Sequence, residues 1–360
     1  MQMNYLITSL QENEKFKEVV ENVNEKISPI AISGLSDVSK VSIISSILES
    51  TKRKICVLTY NEIQAKKLVK DLKYFFKQVY FLPKREIAPY DYIAESKDLP
   101  YERIAVLNKI ILQEKSKEPI IIVTTLETAM QKMISKEELY ENIVDFKIGE
   151  TYSIENLKQT FVKLGYERTN LIEGQGQFSI RGGIVDVGLS NKIGVRIEFW
   201  GDEVDSIRYF KIDSQRSTEM IQNITIFPAH EFIVQNISNA IKKIEENSNV
   251  DEDIELIKNG ENISKIDKYF NEFYDKQEYF LDYLSDKYLI FIDENSKIQQ
   301  RKENIIIENN NLIKSLVEKE RIVPESIKNV SNYEYDYSKK QIIYLEQNDI
   351  IKNILKFSFT

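Results

Sequence analysis

Residues 29–41 read PIAISGLSDVSKV, a β-branched run that turns at Gly34 into a helical pattern. The same rhythm continues for the next hundred residues. A helix to about Ser50 precedes KICVLTY (54–60), a helix from Glu62 to Phe76 precedes VYFLP (79–83), and a helix around Tyr101 to Leu112 precedes PIIIVTT (119–125). Short apolar strands alternating with helices predict a parallel sheet. From about Glu150 the pattern changes. One helix, Ile154 to Leu164, is followed by the closely spaced runs QFSIRGGIVDV (177–187), GVRIEFW (194–200), EVDSIRYF (203–210) and NITIFP (223–228), separated by Gly, Asn and Asp turns. These read as antiparallel strands packed with a helix.

After Phe232 acidic, Lys-rich helices return, and then one strongly apolar strand, YLIFIDEN (288–295). A lone strand of buried character needs a sheet to join. The parallel sheet of the first segment is the simplest host, which makes the antiparallel unit an insertion into a discontinuous domain. The expected organisation is therefore α/β, with residues 1–141 and 231–350 forming one parallel-sheet domain and 142–230 an inserted α+β domain. A helix near Leu312 to Glu320 and a weak strand QIIYLEQ (341–347) fall in the second part, and 351–360 read as a tail or the start of a linker.

Composition narrows the function. The chain has 360 residues and a net charge of -8, which argues against a protein whose main task is gripping nucleic acid, since phosphate binding relies on clustered Lys and Arg. The Lys-rich stretch Lys66 to Lys73 alternates with apolar residues at helical spacing and reads as a solvated helix face. No window has the roughly 20 apolar residues of a membrane span, and the amino terminus lacks a secretory pattern, so a cytoplasmic protein without a membrane partner is expected. One cysteine, Cys56, and one histidine, His230, exclude an internal disulfide and a zinc site. Both read as structural residues, and no metal or cofactor is expected.

Two stretches have the placement of a nucleotide site. Gly34 to Val41 occupies the position of a phosphate loop, GxxxxGK[ST], in which the second Gly lets backbone N–H groups wrap the phosphates and the hydroxyl ligates Mg²⁺. Here Ser39 stands in place of that Gly and Val41 in place of the hydroxyl, while Lys40 survives. A hydrocarbon offers no oxygen to a hard cation. Asp293-Glu294, at the end of an apolar strand, has the form of a helicase acidic pair that would hold Mg²⁺ and orient water. Gly34, Ser39, Lys40, Val41, Asp293 and Glu294 thus read together as a degenerate nucleotide site, with an active ATPase kept as an alternative.

The inserted unit contains three ordered motifs: GYERTNLIEGQGQFSIRGGIVDV (165–187), IEFWGDEVDSIRYFKIDSQRS (197–217) and IFPAHEF (226–232). They resemble the domain shared by the excision-repair protein UvrB and the bacterial transcription-repair coupling factors (Mfd). YFLPKREIAPYDYIAESKDLPYERIAVLNKI (80–110) separates the two branches, because Tyr90 to Pro100 reads as a short connection where UvrB carries a long, Tyr-rich hairpin. The resemblance is therefore to the amino-terminal, UvrB-homologous region of the coupling factors.

That resemblance implies a helicase-like fold without ATPase function and a partner, UvrA, bound by the inserted domain. It places the contact at Arg168, Phe178 and Arg181. Two positions depart from the pattern: UvrB has a further Arg where this chain has Ser179, and an aromatic commonly stands where it has Gly188. In the longer family members, RNA polymerase and DNA are bound by regions that follow, alongside the protein's own carboxy-terminal domains. The chain is accordingly expected to be a fragment or truncated form that binds UvrA without catalysis; a damaged-DNA-binding domain is the further alternative.

Overall fold

The computed structural model describes residues 2–85, 98–114, 116, 118–231, 233, 237–245, 254–255, 269–274, 276–319, 339–348 and 355–358. They fall into two compact units, one built from residues 1–85, 109–132 and 278–360, the other from 86–108 and 133–277. Of the Tyr90 to Pro100 connection, residues 90–97 lie outside the described residues.

Seven strands make the sheet of the first unit: β1 (Ile30–Ser33), β2 (Lys54–Thr59), β3 (Val79–Leu82), β4 (Ile121–Thr125), β15 (Tyr288–Asp293), β16 (Gln341–Leu345) and β17 (Leu355–Ser358), numbered along the whole chain. Their order is β17-β1-β16-β15-β2-β4-β3, and every neighbouring pair is parallel. The central strands β2, β4 and β15 are buried throughout, as unbroken apolar runs require when both faces of a sheet are covered. Helices Glu14–Asn24, Asp37–Thr51 and Glu62–Leu72 share one core with this sheet, in which Phe16, Val19, Ile44, Leu68 and Phe291 are buried. Each helix starts at a capping side chain, Asn13, Ser36 or Asn61, that accepts the N–H three residues on, satisfying a donor the helix cannot. Within the segment 351–360, residues 355–358 are described and form a strand. LKFS pairs with β1, from Ile30 opposite Leu355 to Ser33 opposite Ser358, because β1 otherwise leaves its backbone groups unpaired at an open edge.

In the second unit, β6 (Val144–Lys147) pairs antiparallel with β13 (Asn223–Ile226). A six-stranded sheet follows the order β12-β11-β10-β9-β8-β7, comprising β7 (Glu167–Arg168), β8 (Gln177–Arg181), β9 (Ile184–Gly188), β10 (Ile193–Trp200), β11 (Glu203–Lys211) and β12 (Ser217–Ile221). All its pairs are antiparallel except β7 with β8. Two three-residue strands, β5 (Lys132–Ile134) and β14 (Gln277–Tyr279), lie where the backbone passes between the units. One face of the six-stranded sheet is apolar and packs on helix Ile154–Lys163 through Leu157 and Phe161. Phe161 meets Phe178 with ring centroids 5.2 Å apart.

This unit is wider than the 142–230 insertion read from sequence. Arg103 and Glu231 form a buried two-point ion pair, at 2.7 and 3.0 Å, and the ring of Tyr101 lies where a side chain on Gly176 would stand. Residues 98–108 are thereby fastened to it. Among the described residues no helix is long and apolar enough to cross a membrane.

Candidate functional site

In the first unit, the segment that would wrap phosphates has become the first turn of a helix. Ser36 caps it: its Oγ accepts the Ser39 N–H at 3.2 Å and lies 2.8 Å from Ser39 Oγ. Asp37, the next residue, puts a carboxylate at the helix start and pairs with Lys67 at 2.5 Å, a bond that holds the Asp37 carboxyl below the usual carboxylate range. A phosphate at this place would meet an occupied N–H and a negative charge. Val41 is buried in the core, as a hydrocarbon in that position should be.

Lys40 points inward from the same turn. Its Nζ donates to Asp293 Oδ1 at 2.6 Å and to Glu294 Oε1, with all three residues buried. Gln64 donates to the other Asp293 oxygen at 3.2 Å, and the Gln347 N–H donates to Glu294 at 3.0 Å. The structure therefore brings together Lys40, Asp293 and Glu294 as the sequence reading grouped them, but they bond to each other. A carboxylate that the sequence reading did not include, Glu346, stands on the residue following β16. Its Oε1 accepts the Asn295 N–H at 2.9 Å, while its Oε2 is buried without a hydrogen-bond partner among the described residues. One ammonium thus faces three buried carboxylates. Burial, joined by the neighbouring carboxylate charges, pushes Asp293 and Glu346 up. Burial pulls Lys40 down, but Asp293 and Glu294 outweigh it and hold the ammonium charged.

In the second unit, the face of the sheet turned away from the apolar core carries charge. Asp186, almost wholly buried, accepts from Arg181 at 2.6 Å and from Arg196 at 2.7 and 2.9 Å. The guanidinium of Arg196 lies 5.0 Å from the ring centre of Phe210. On the next strand Arg208 pairs with Glu198, which also accepts from Ser206 at 2.9 Å. Arg196 and Arg208 stand directly opposite each other, a like-charge pairing that would be destabilising if Asp186 and Glu198 did not flank it. Three arginines against two carboxylates leave this set with a positive excess. Only Arg181 among them is substantially exposed, with 45% of its side chain accessible.

The three residues expected to contact the partner separate into two kinds. Arg168 is exposed on the edge strand β7, and Arg181 ends β8 just before the two-residue Gly182-Gly183 turn. Phe178 differs from expectation. It has no accessible surface, packs on Phe161 and belongs to the core, so its contribution is to hold β8 in place. The sequence signal for this was available, since Phe178 alternates with the outward Ser179 in a strand with one buried face. Cys56 is buried in β2, where burial pushes its thiol up. His230 packs against Gly165.

Residues 144–232, which contain all of this second face, match the family model of the UvrB interaction domain. The chain is 28% identical to the transcription-repair-coupling factor of Bacillus subtilis, a match that covers 89% of this chain and 29% of that one. It is 25% identical to the same factor from Staphylococcus aureus strain MRSA252, covering 88% of this chain and 28% of that one. The chain is thus similar over most of its length to part of the transcription-repair-coupling factors, and over residues 144–232 to the UvrB interaction domain. It spans less than a third of the length of these two relatives.

Ser179 and Gly188, the two positions that depart from the expected pattern, share one local setting. Ser179 is buried and its hydroxyl donates to the Asn170 carbonyl at 3.0 Å. A Cβ on Gly188 would lie 2.0 Å from the Gly174 carbonyl oxygen. Both positions lie beneath the loop joining β7 to β8. That loop folds flat across the outer face, and Ile172 clusters with Phe210 and Ile212 there. A larger side chain at either position would lift the loop.

Proposed function

We propose that this chain is a docking module that binds UvrA through the inserted unit, residues 142–230 as read from sequence, and so brings excision repair to stalled RNA polymerase. The observation that carries the reading is the pair of exposed arginines, Arg168 and Arg181, on adjacent strands of the region matching the UvrB interaction domain. Arg168 makes no side-chain hydrogen bond or ion pair to the described residues, and Arg181 has only Asp186. Their guanidinium groups thus retain donors for carboxylates on a partner, the geometry Arg serves best.

The module works by binding alone. The first unit acts as a scaffold of helicase-like form in which Lys40 bonds the acidic pair in place of a nucleotide and metal. RNA polymerase and DNA are engaged by other parts of such factors, in the cytoplasm, and the coupling of transcription to repair belongs to the longer assembly. Calorimetric titration of UvrA from the same organism into the purified chain tests the proposal. Saturable binding with defined stoichiometry is expected, and the absence of any heat of binding with active UvrA would refute it.

A further inference from the structure

The only tryptophan of the chain, Trp200, is 85% exposed. It closes β10 immediately before the turn Gly201-Asp202, where Gly201 takes the positive φ of +63° that a two-residue hairpin turn needs. Phe199, its neighbour, points into the core of the unit, so Trp200 points away from that core. The tip that carries it is braced on both sides. Phe199 N–H donates to the Gly183 carbonyl at 2.7 Å, while on the other side Tyr152 N–H donates to the Asp202 carbonyl at 2.8 Å and Gly149 N–H to the Val204 carbonyl at 2.9 Å.

The same end of the sheet bears Arg181. Arg181 stands opposite Ile184, and Ile184 opposite Glu198, two residues before Trp200. Two strand spacings and one two-residue step put the backbones of Arg181 and Trp200 roughly 10–12 Å apart. The two hairpin tips touch as well, since a Cβ on Gly183 would lie 2.8 Å from the Phe199 carbonyl oxygen. An indole presented on a backbone already fixed loses little conformational freedom on association, and Trp and Arg are the side chains that dominate interface energetics.

We propose that Trp200 is the apolar anchor of the docking face and enters an apolar pocket, rimmed by carboxylates, on the partner that Arg181 engages. Arg181, the most exposed arginine of this face, favours such an acidic rim, and the indole supplies the apolar contact that the arginine lacks. This inference rests on the UvrA-docking reading and adds to it a residue on a different hairpin.

Because the chain has a single tryptophan, fluorotryptophan labelling gives one fluorine resonance, which reports this side chain alone. Adding unlabelled UvrA is expected to shift or broaden it. Trp200→Ala is expected to weaken UvrA binding at least about tenfold with unchanged melting, and Trp200→Phe to retain most of the affinity. If the parent binds UvrA while the resonance stays unchanged and Trp200→Ala binds as the parent does, the anchor is refuted and the docking reading stands. If the parent does not bind UvrA at all, both are refuted.

Discussion

Lys40 Nζ lies 2.6 Å from Asp293 Oδ1, two groups 253 residues apart in sequence and both sealed from solvent. They stand on the helix after β1 and at the end of β15, the two places from which a nucleotide and its metal would be held. Here the ammonium itself is the cation between the strands.

Mg-ATP is therefore expected to leave the chain's thermal unfolding unchanged. A ligand at about 100 times its dissociation constant adds roughly 2.7 kcal/mol, which a melting curve resolves easily. A clear rise in Tm at millimolar Mg-ATP would contradict the closed position.

Lys40→Ala should be strongly destabilising. It removes the ammonium that pairs with the buried Asp293 and Glu294 beside the buried Glu346, and removing one partner of a buried pair costs about 3–5 kcal/mol. Urea unfolding at neutral pH measures the loss. A variant within about 0.5 kcal/mol of the parent, the range of ordinary surface changes, would mean that the ion pair is not formed in solution.

The surplus of acid has a pH signature. Asp293 and Glu346 have ordinary values of 3.8 and 4.5 and are raised in the folded protein. Above those ordinary values the folded state therefore binds more protons than the unfolded one, and this contribution to stability is lost as pH rises through the folded values. Glu346→Gln keeps an oxygen for the Asn295 N–H and removes one negative charge. It should be more stable than the parent at neutral pH, with the difference shrinking as pH falls towards 4.5. Parallel denaturation curves for the two proteins at several pH values measure this directly, and a constant difference would refute it.

Arg168→Glu with Arg181→Glu should abolish UvrA binding while leaving melting nearly native. An interface arginine commonly contributes on the order of 2 kcal/mol or more, and charge reversal adds repulsion. Phe178→Ala should do the opposite in kind, costing about 3–5 kcal/mol of stability by emptying a core site. Titration calorimetry and unfolding curves on both variants separate the two roles, and unaltered UvrA binding by the double arginine variant would remove these residues from the interface.

Much of the architecture was legible from periodicity. The apolar runs of β2, β4 and β15 and the alternation in β8 to β11 are the direct imprint of two-sided and one-sided burial. The lone strand YLIFID did join the parallel sheet, between β2 and β16. Other features depended on contacts between distant segments. Glu346 follows an unremarkable strand and becomes significant only because β16 lies between β1 and β15. Ser179 and Gly188 read as deviations until the Asn170 and Gly174 carbonyls are seen above them. The pairing of β17 and the helices before β1 likewise had no motif to announce them.

The cap formed by Ser36 closes the position where a phosphate loop would stand. Restoring the two missing letters, by Ser39→Gly and Val41→Thr, would bring back the written motif but not the open loop. The helix would still begin at Asp37, the Asp37 carboxylate would still guard its end, and Lys40 would still be drawn to Asp293 and Glu294. Opening this position would need coordinated changes at Ser36, Asp37 and the buried Lys40–Asp293–Glu294 cluster together.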